Sequence, residues 1–300
     1  MQKENDWKVF YNNVKSRCGK LIEYGIWQGI DIYQFKAWLN NFQTEREQFF
    51  SALILDSMIF RSEEHVKSML YDLLTRNLHN MWRLKKDSLY DANNNPLDLL
   101  KSRYPKIGFR IVTTVKGTDP VTKSGFHMVH LLNHQMNVRC EWIIKTDEIN
   151  YYYNQGIHCF LLLDDIACTG EQIEDILNEI DITKYPEARF YIALCTIHEK
   201  ALTILKEHFP SINIVYTEFL DNKNNFFESI PINETDYKNK QDAIDKYTIF
   251  LKKHNIIFKP PLGKGNLGLT YAFSHNVPNN SLPILHYENE QFKKLINKRP

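Results

Sequence analysis

Residues 158–172 read HCFLLLDDIACTGEQ, and the order of residue types in this stretch decides the fold. The apolar run Ile157–Leu163 shows neither helical nor alternating period, as expected of a strand buried on both faces. Two acids, Asp164 and Asp165, close it. A loop of small residues follows, then a helix expected over about 169–180. In an open parallel sheet, ligands bind at the carboxyl ends of the strands. Loop amides and a helix N-terminus would face an anion there. Gly170 lets the backbone approach closely and take an unusual φ. Thr169 adds a hydroxyl donor. Asp164 and Asp165 can accept hydrogen bonds from vicinal sugar hydroxyls, or hold a metal through water. Thr169-Gly170-Glu171-Gln172 also fits a capping box, Thr at N-cap and Gln at N3. Capping accounts for those two residues without any ligand, but not for the acid pair.

Working outward, apolar β-rich runs alternate with helical patterns. Strands are expected at 107–115, within 140–149, at 190–197, 212–219 and 267–273. Helices are expected at 198–208 and 242–254. That alternation implies βαβ units and a mostly parallel α/β sheet. Residues 1–85 read instead as a helical bundle segment. Thr44 and Glu47 form a capping box before an apolar run. Ser62 opens another helix, with Val66, Met69, Leu70, Leu73 and Leu74 on one face. The basic run Trp82–Lys86 closes it, either as a solvated helix end or as a contact for an acidic partner or nucleic-acid backbone. Asn93-Asn94-Asn95-Pro96 is a turn signal. The expected division is therefore a helical region at 1–92 and an α/β domain at 93–300. The polar, Asn-rich stretch 221–239 reads as an insertion or mobile loop.

Composition narrows the classes. Of 300 residues, 37 are Lys or Arg and 36 are Asp or Glu, a formal charge of +1. That balance excludes a polybasic nucleic-acid binder driven by bulk charge. Nucleic-acid contact through the helical region is left open but is not indicated by charge. Five cysteines lack metal or redox spacing and are odd in number, which points to a reducing cytosol. The polar start, Met1–Trp7, has no signal-peptide core. The apolar stretch Phe49–Phe60 is broken by Asp56 and is too short to span a bilayer. A cytoplasmic protein with no membrane partner is expected.

The run LLLDDIACTG resembles the phosphoribosyl-pyrophosphate motif of type I phosphoribosyltransferases. The resemblance implies that Asp164 and Asp165 bind ribose hydroxyls and that Ala167, Cys168, Thr169, Gly170, Glu171 and Gln172 wrap the 5′-phosphate. It also implies Mg²⁺, held largely by the substrate's pyrophosphate and sugar oxygens, with no metal ligand set of the protein's own. A second resemblance rests on Gly263-Lys264-Gly265-Asn266-Leu267-Gly268, on Ser274–Ile284 (SHNVPNNSLPI), and on Trp38 and Phe42 ahead of TEREQFFSALILDSMIFRSEEHV. These are similar to a group of bacterial phosphoribosyltransferase-like proteins, PRTase-CE-like, often linked to conflict or anti-phage operons, retrons among them. An operon-encoded protein or nucleoprotein partner follows from that link. The chain departs from the usual loop at Glu171 and Gln172, where small and hydroxyl residues are common. A carboxylate beside a phosphate is unfavourable unless it points away or meets a metal or base.

Further candidates stand on single features. Lys116-Gly117 and Lys123-Ser124-Gly125 can present amides and an ammonium to a pyrophosphate, or form a polar surface loop. Asn276, Asn279 and Asn280 follow the last expected strand and suit a base or sugar; they are equally turn formers. His127, His130 and His134 fall at near-helical spacing, which reads as a surface helix rather than a metal site. Three functions compete. The first is a phosphoribosyl-transfer enzyme acting on phosphoribosyl pyrophosphate or a related nucleotide or phosphosugar, with Asp164 and Asp165 as its central residues. The second is a catalytically inactive nucleotide-sensing or partner-binding module. The third is a partner-regulated toxin that cleaves nucleotide N-glycosidic bonds.

Overall fold

Apolar runs without period become the centre of a parallel sheet. The computed structural model describes residues 2–102, 108–114, 124–231 and 237–298. Its strands are β1 (Ile59–Arg61), β2 (Phe109–Thr113), β3 (Ile143–Ile144), β4 (Cys159–Ala167), β5 (Arg189–His198), β6 (Asn213–Leu220) and β7 (Tyr271–Phe273). β2 to β6 form one five-stranded sheet in the order β3-β2-β4-β5-β6, with every pairing parallel. Every residue of β2, and all but Ile166 of β4, is buried, as a sheet covered on both faces requires. The α/β class and the mostly parallel sheet are as the sequence implies.

The chain divides into two compact units. One takes residues up to Glu63 together with those from Asp221 onward; the other is Glu64–Leu220 and holds the five-stranded sheet. These units are drawn differently from a boundary at residue 92. Helices 63–84 belong with the sheet, whereas the earlier helices belong with the C-terminal segment.

In the sheet unit, the helices Glu171–Ile180 and Glu199–His208 supply Ile173, Ile176, Leu177, Ala201 and Leu205 to a core shared with Phe160, Leu162, Ile192 and Leu194. The helix starting at Glu63 buries Val66, Met69 and Leu70 as expected, then widens into a π-helical turn at Leu73–Asn77. The run Trp82–Lys86 is a helix end. Lys86 takes φ 51°, and the amides of Lys86 and Asp87 donate to the carbonyls of Arg83 and Trp82. That is a Schellman closure.

The other unit corrects the reading of residues 1–85 as helices alone. The capping box at Thr44 and Glu47 forms, but β1 lies between helices and pairs in parallel with β7. The last strand is therefore in a separate two-stranded sheet, not beside the main one. Its alternation-free sequence could not reveal which strand it would join. Trp38 is fully buried and its Nε1 donates to the Ile284 carbonyl at 2.7 Å. Phe42 stacks on Phe250, with ring centroids 5.1 Å apart. Gly263 has φ 81°, and a Cβ there would lie 2.6 Å from the Asn280 carbonyl carbon, so only glycine fits.

The stretch 221–239 is also corrected over its described part. Asp221 and Asn224 cap a 3₁₀ turn, and Phe226–Ser229 is a short helix that buries Phe226 and Phe227. No helix among the described residues is long and apolar enough to cross a membrane.

Candidate functional site

The five sheet strands, numbered in chain order, lie 2-1-3-4-5 across the sheet. The chain winds from β2 to one side and then returns to the other, so the topological switch falls between β2 and β4. Crevices at such switch points, outside the carboxyl ends of the strands, are where ligands bind. The β2–β4 pairing ends at Thr113↔Leu163. Asp164 is the next residue of β4. The acid pair therefore stands at the switch.

β4 runs four residues past the expected end at Leu163. Asp164, Asp165, Ile166 and Ala167 are strand residues, held by β5 through Asp164↔Leu194, Ile166↔Thr196 and Ala167↔Ile197. Asp164 and Asp165 are adjacent strand residues, and their carboxyls interact with each other. Asp164 is 2% exposed and Asp165 4%. Asp164 Oδ1 accepts from the Asp165 amide at 3.0 Å, and its Oδ2 accepts from Gln172 Nε2 at 3.0 Å. Asp165 Oδ1 accepts from the Ile166 amide at 2.8 Å. Burial first, and the charge of Asp165 second, push the Asp164 carboxyl well above the usual carboxylate range; bonds from the Asp165 amide and then the Thr114 hydroxyl oppose this without reversing it. The Cys168 and Cys195 thiols are pushed up for the same reasons, burial and then the charge of Asp165. Both are poor nucleophiles in this state.

Ala167, Cys168, Thr169 and Gly170 are buried, while Glu171 and Gln172 are exposed. Gly170 is the N-cap of the helix Glu171–Ile180. It takes φ 87°, and no side chain caps the helix. The capping-box reading of Thr169 and Gln172 is thereby corrected. A left-handed N-cap moves Thr169 one residue away from the capping position, and the Gln172 amide turns to Asp164 instead. The first amides of the helix lack intrahelical partners, and the exposed Glu171 is the acid nearest to them in sequence.

Among the described residues no three His, Cys, Asp or Glu side chains are grouped so as to hold a metal ion. Two adjacent carboxyls fit a different arrangement, in which Mg²⁺ takes one or two carboxylates and the remaining oxygens from a ligand's phosphates. The donor set suits an ion that arrives with a ligand. The helix of His127 and His130 runs to His130 and continues as a π-helical turn carrying His134. The His130 and His134 rings lie 4.7 Å apart.

The family model PRTase-CE matches residues 35–298, which takes in the acid pair, the Thr-Gly loop and the C-terminal asparagine-rich run. The chain belongs to the PRTase-CE family. Among solved structures, it is similar to the Helicobacter pylori Xanthine-Guanine-Hypoxanthine Phosphoribosyltransferase. The two are 13% identical, over 54% of this chain and 83% of that one, with a TM-score of 0.30. None of the curated proteins matches. The protein is thus phosphoribosyltransferase-like by family, and a mixed α/β protein by its own sheet.

In this PRTase-CE chain the other candidates lie on other elements than the acid pair. Asn276, Asn279 and Asn280 follow β7 of the two-stranded sheet, in the unit that does not contain Asp164. Each has a structural partner. Asn276 accepts from the Val277 amide at 2.9 Å, Asn279 from Lys298 Nζ, and Asn280 Nδ2 donates to the Lys264 carbonyl at 2.8 Å. Lys116, Gly117 and Lys123 lie outside the described residues. Ser124 and Gly125 open the helix Ser124–His130. Sequence reasoning missed Thr114, Thr196, His198 and Glu218 at the carboxyl ends of the strands. Thr196 Oγ1 donates to Glu218 Oε2 at 3.3 Å, and His198 Nδ1 caps the next helix by accepting from the Lys200 amide at 3.1 Å. The register Ile166↔Thr196↔Glu218 aligns Thr196 and Glu218 with the end of β4, two positions beyond Asp164. Their only sequence signal was position at a strand end.

Proposed function

We propose that this protein binds phosphoribosyl pyrophosphate, or a related nucleotide or phosphosugar, at the carboxyl ends of β2 and β4. The observation that carries the reading is the coincidence of three features: a switch point, a buried acid pair, and a helix opened by a left-handed glycine with no side-chain cap. Asp164 and Asp165 would take the sugar hydroxyls. The amides of the 167–172 loop and the first helical turn would take the phosphate, as anions suit a helix N-terminus. Mg²⁺ bound with the ligand would neutralise charge on a leaving pyrophosphate. If transfer occurs, a sugar cation develops at the anomeric carbon, and the residues act by positioning and electrostatics. Titration with phosphoribosyl pyrophosphate and Mg²⁺ by calorimetry tests this. Heat is expected from the wild-type chain and none from the Asp164→Asn, Asp165→Asn double variant. Equal heats, or no heat at millimolar ligand, would sink the reading.

One observation favours binding without turnover as the second reading: the chain's own donors already engage both oxygens of Asp164. Steady release of pyrophosphate or free base from the bound ligand would count against it. The resemblance to proteins of anti-phage operons supports an effector role in a bacterial defence system, of retron type, acting on nucleotides when its partners release it. Expression with and without those partners should change growth and nucleotide pools, and unchanged pools in both settings would remove this role.

A further inference from the structure

The geometry points to Gln172 as an intramolecular competitor for the sugar position, so that the ligand's hydroxyl must displace its amide from Asp164. The inference rests on the binding reading above and deepens it. A carboxyl that is 2% exposed needs its oxygens satisfied. Asp164 meets that need from within the chain, through the Asp165 amide on Oδ1 and Gln172 Nε2 on Oδ2, each at 3.0 Å, and through the buried Thr114 hydroxyl. These donors differ in kind. The Asp165 amide is fixed in β4. Gln172 is an exposed residue in the first turn of the helix, and its amide reaches inward on a flexible stem. Thr114 is buried beside the carboxyl, so only the Gln172 amide can leave at low cost. An incoming hydroxyl therefore replaces a hydrogen bond rather than making a new one, and the site gains less from the sugar than its acid pair would suggest. The phosphate loop is untouched by this exchange, because it binds through backbone amides.

The two halves of the ligand separate the effects. Wild-type and Gln172→Ala chains would be titrated with inorganic phosphate and with ribose 5-phosphate by calorimetry. Removing the competitor should tighten ribose 5-phosphate by about 2- to 10-fold, one net hydrogen bond, and leave phosphate affinity unchanged. A change in stability alone would not alter the ratio of the two affinities. A ratio that stays constant, or a weaker ribose 5-phosphate affinity in the variant, overturns the inference and makes Gln172 either a bystander or a direct ligand contact. A wild-type chain that binds neither probe removes the proposed function itself, a result distinct from an unchanged ratio.

Discussion

Replacing Asp87 by alanine is expected to lower the unfolding free energy by about 3–5 kcal/mol, the range for removing one partner of a buried charged network. The Asp87 side chain is 1% exposed. Its Oδ2 accepts from the Tyr191 hydroxyl at 2.6 Å, and its Oδ1 accepts from the Leu89 amide at 2.9 Å and faces Arg189 at 3.3 Å. The residue follows the Schellman turn at Lys86, so it ties the end of a helix to the start of β5. Burial, then the hydrogen bond and charge of Asp87, push the Tyr191 phenol upward, and it stays a donor. Alanine would strand that buried hydroxyl. Asp87→Asn keeps an acceptor oxygen and should cost less, about 1–3 kcal/mol. Adding Tyr191→Phe to Asp87→Ala removes the stranded donor, so the double variant should lose less than the sum of the singles. Urea unfolding of wild type, the three single variants and the double variant measures this. A loss below about 1 kcal/mol for Asp87→Ala would refute the account. Tyr191 pairs with Leu161 and Asn213, toward the amino ends of the strands. The folded fraction should therefore keep its ligand affinity.

The sheet was legible because burial on both faces leaves a short apolar run without period, and its length and β-rich composition mark it as a strand rather than a buried helix. β4 and β5 carry it, and the ends of these strands are misplaced by only a few residues. The largest error, at β4, has a physical cause. Asp164 and Asp165 look like a strand terminator, yet the pairing with β5 continues through them, and the acids are stabilised as strand residues by local amides. The division of the chain was not legible at residue 92. Helical periodicity gives the buried face of an element but not what covers it. Trp38 and Phe42 pair with Ile284 and Phe250, more than 200 residues away, and no local pattern encodes that. Nor does any pattern distinguish β7, which joins β1, from a sixth strand of the main sheet. The Thr-Gly loop shows the same limit at the site. Its residue types fit both an anion loop and a capping box, and the φ of Gly170 excludes the capping box.

Asp164→Asn should have opposite effects on stability and on binding. The Asp164 carboxyl titrates well above its ordinary value of 3.8 in the folded chain, because burial and Asp165 disfavour its charge. The folded state thus holds this proton more tightly than the unfolded state does. Its contribution to stability is complete below the unfolded value and is lost as pH rises through the folded one. Asparagine carries no such charge. It keeps an oxygen to accept from Gln172 or from the Asp165 amide. Relative to wild type, the variant should therefore gain stability as pH rises above about 4, reaching on the order of 1 kcal/mol near neutrality. Denaturant unfolding from pH 5 to 8 reads the trend. Ribose 5-phosphate affinity should move the other way, falling by about 10-fold, since the single oxygen of asparagine cannot accept from the chain's own donors and from the sugar as two carboxyl oxygens do. The two signs together are the informative result. An acid kept only for packing would lose stability on substitution and would not alter ligand affinity. An acid kept for a ligand is tolerated at a cost to the folded state, and removing it relieves that cost. A variant less stable than wild type at every pH would mean that the amides around Asp164 offset its burial in full, and the acid pair would then be a structural element of β4.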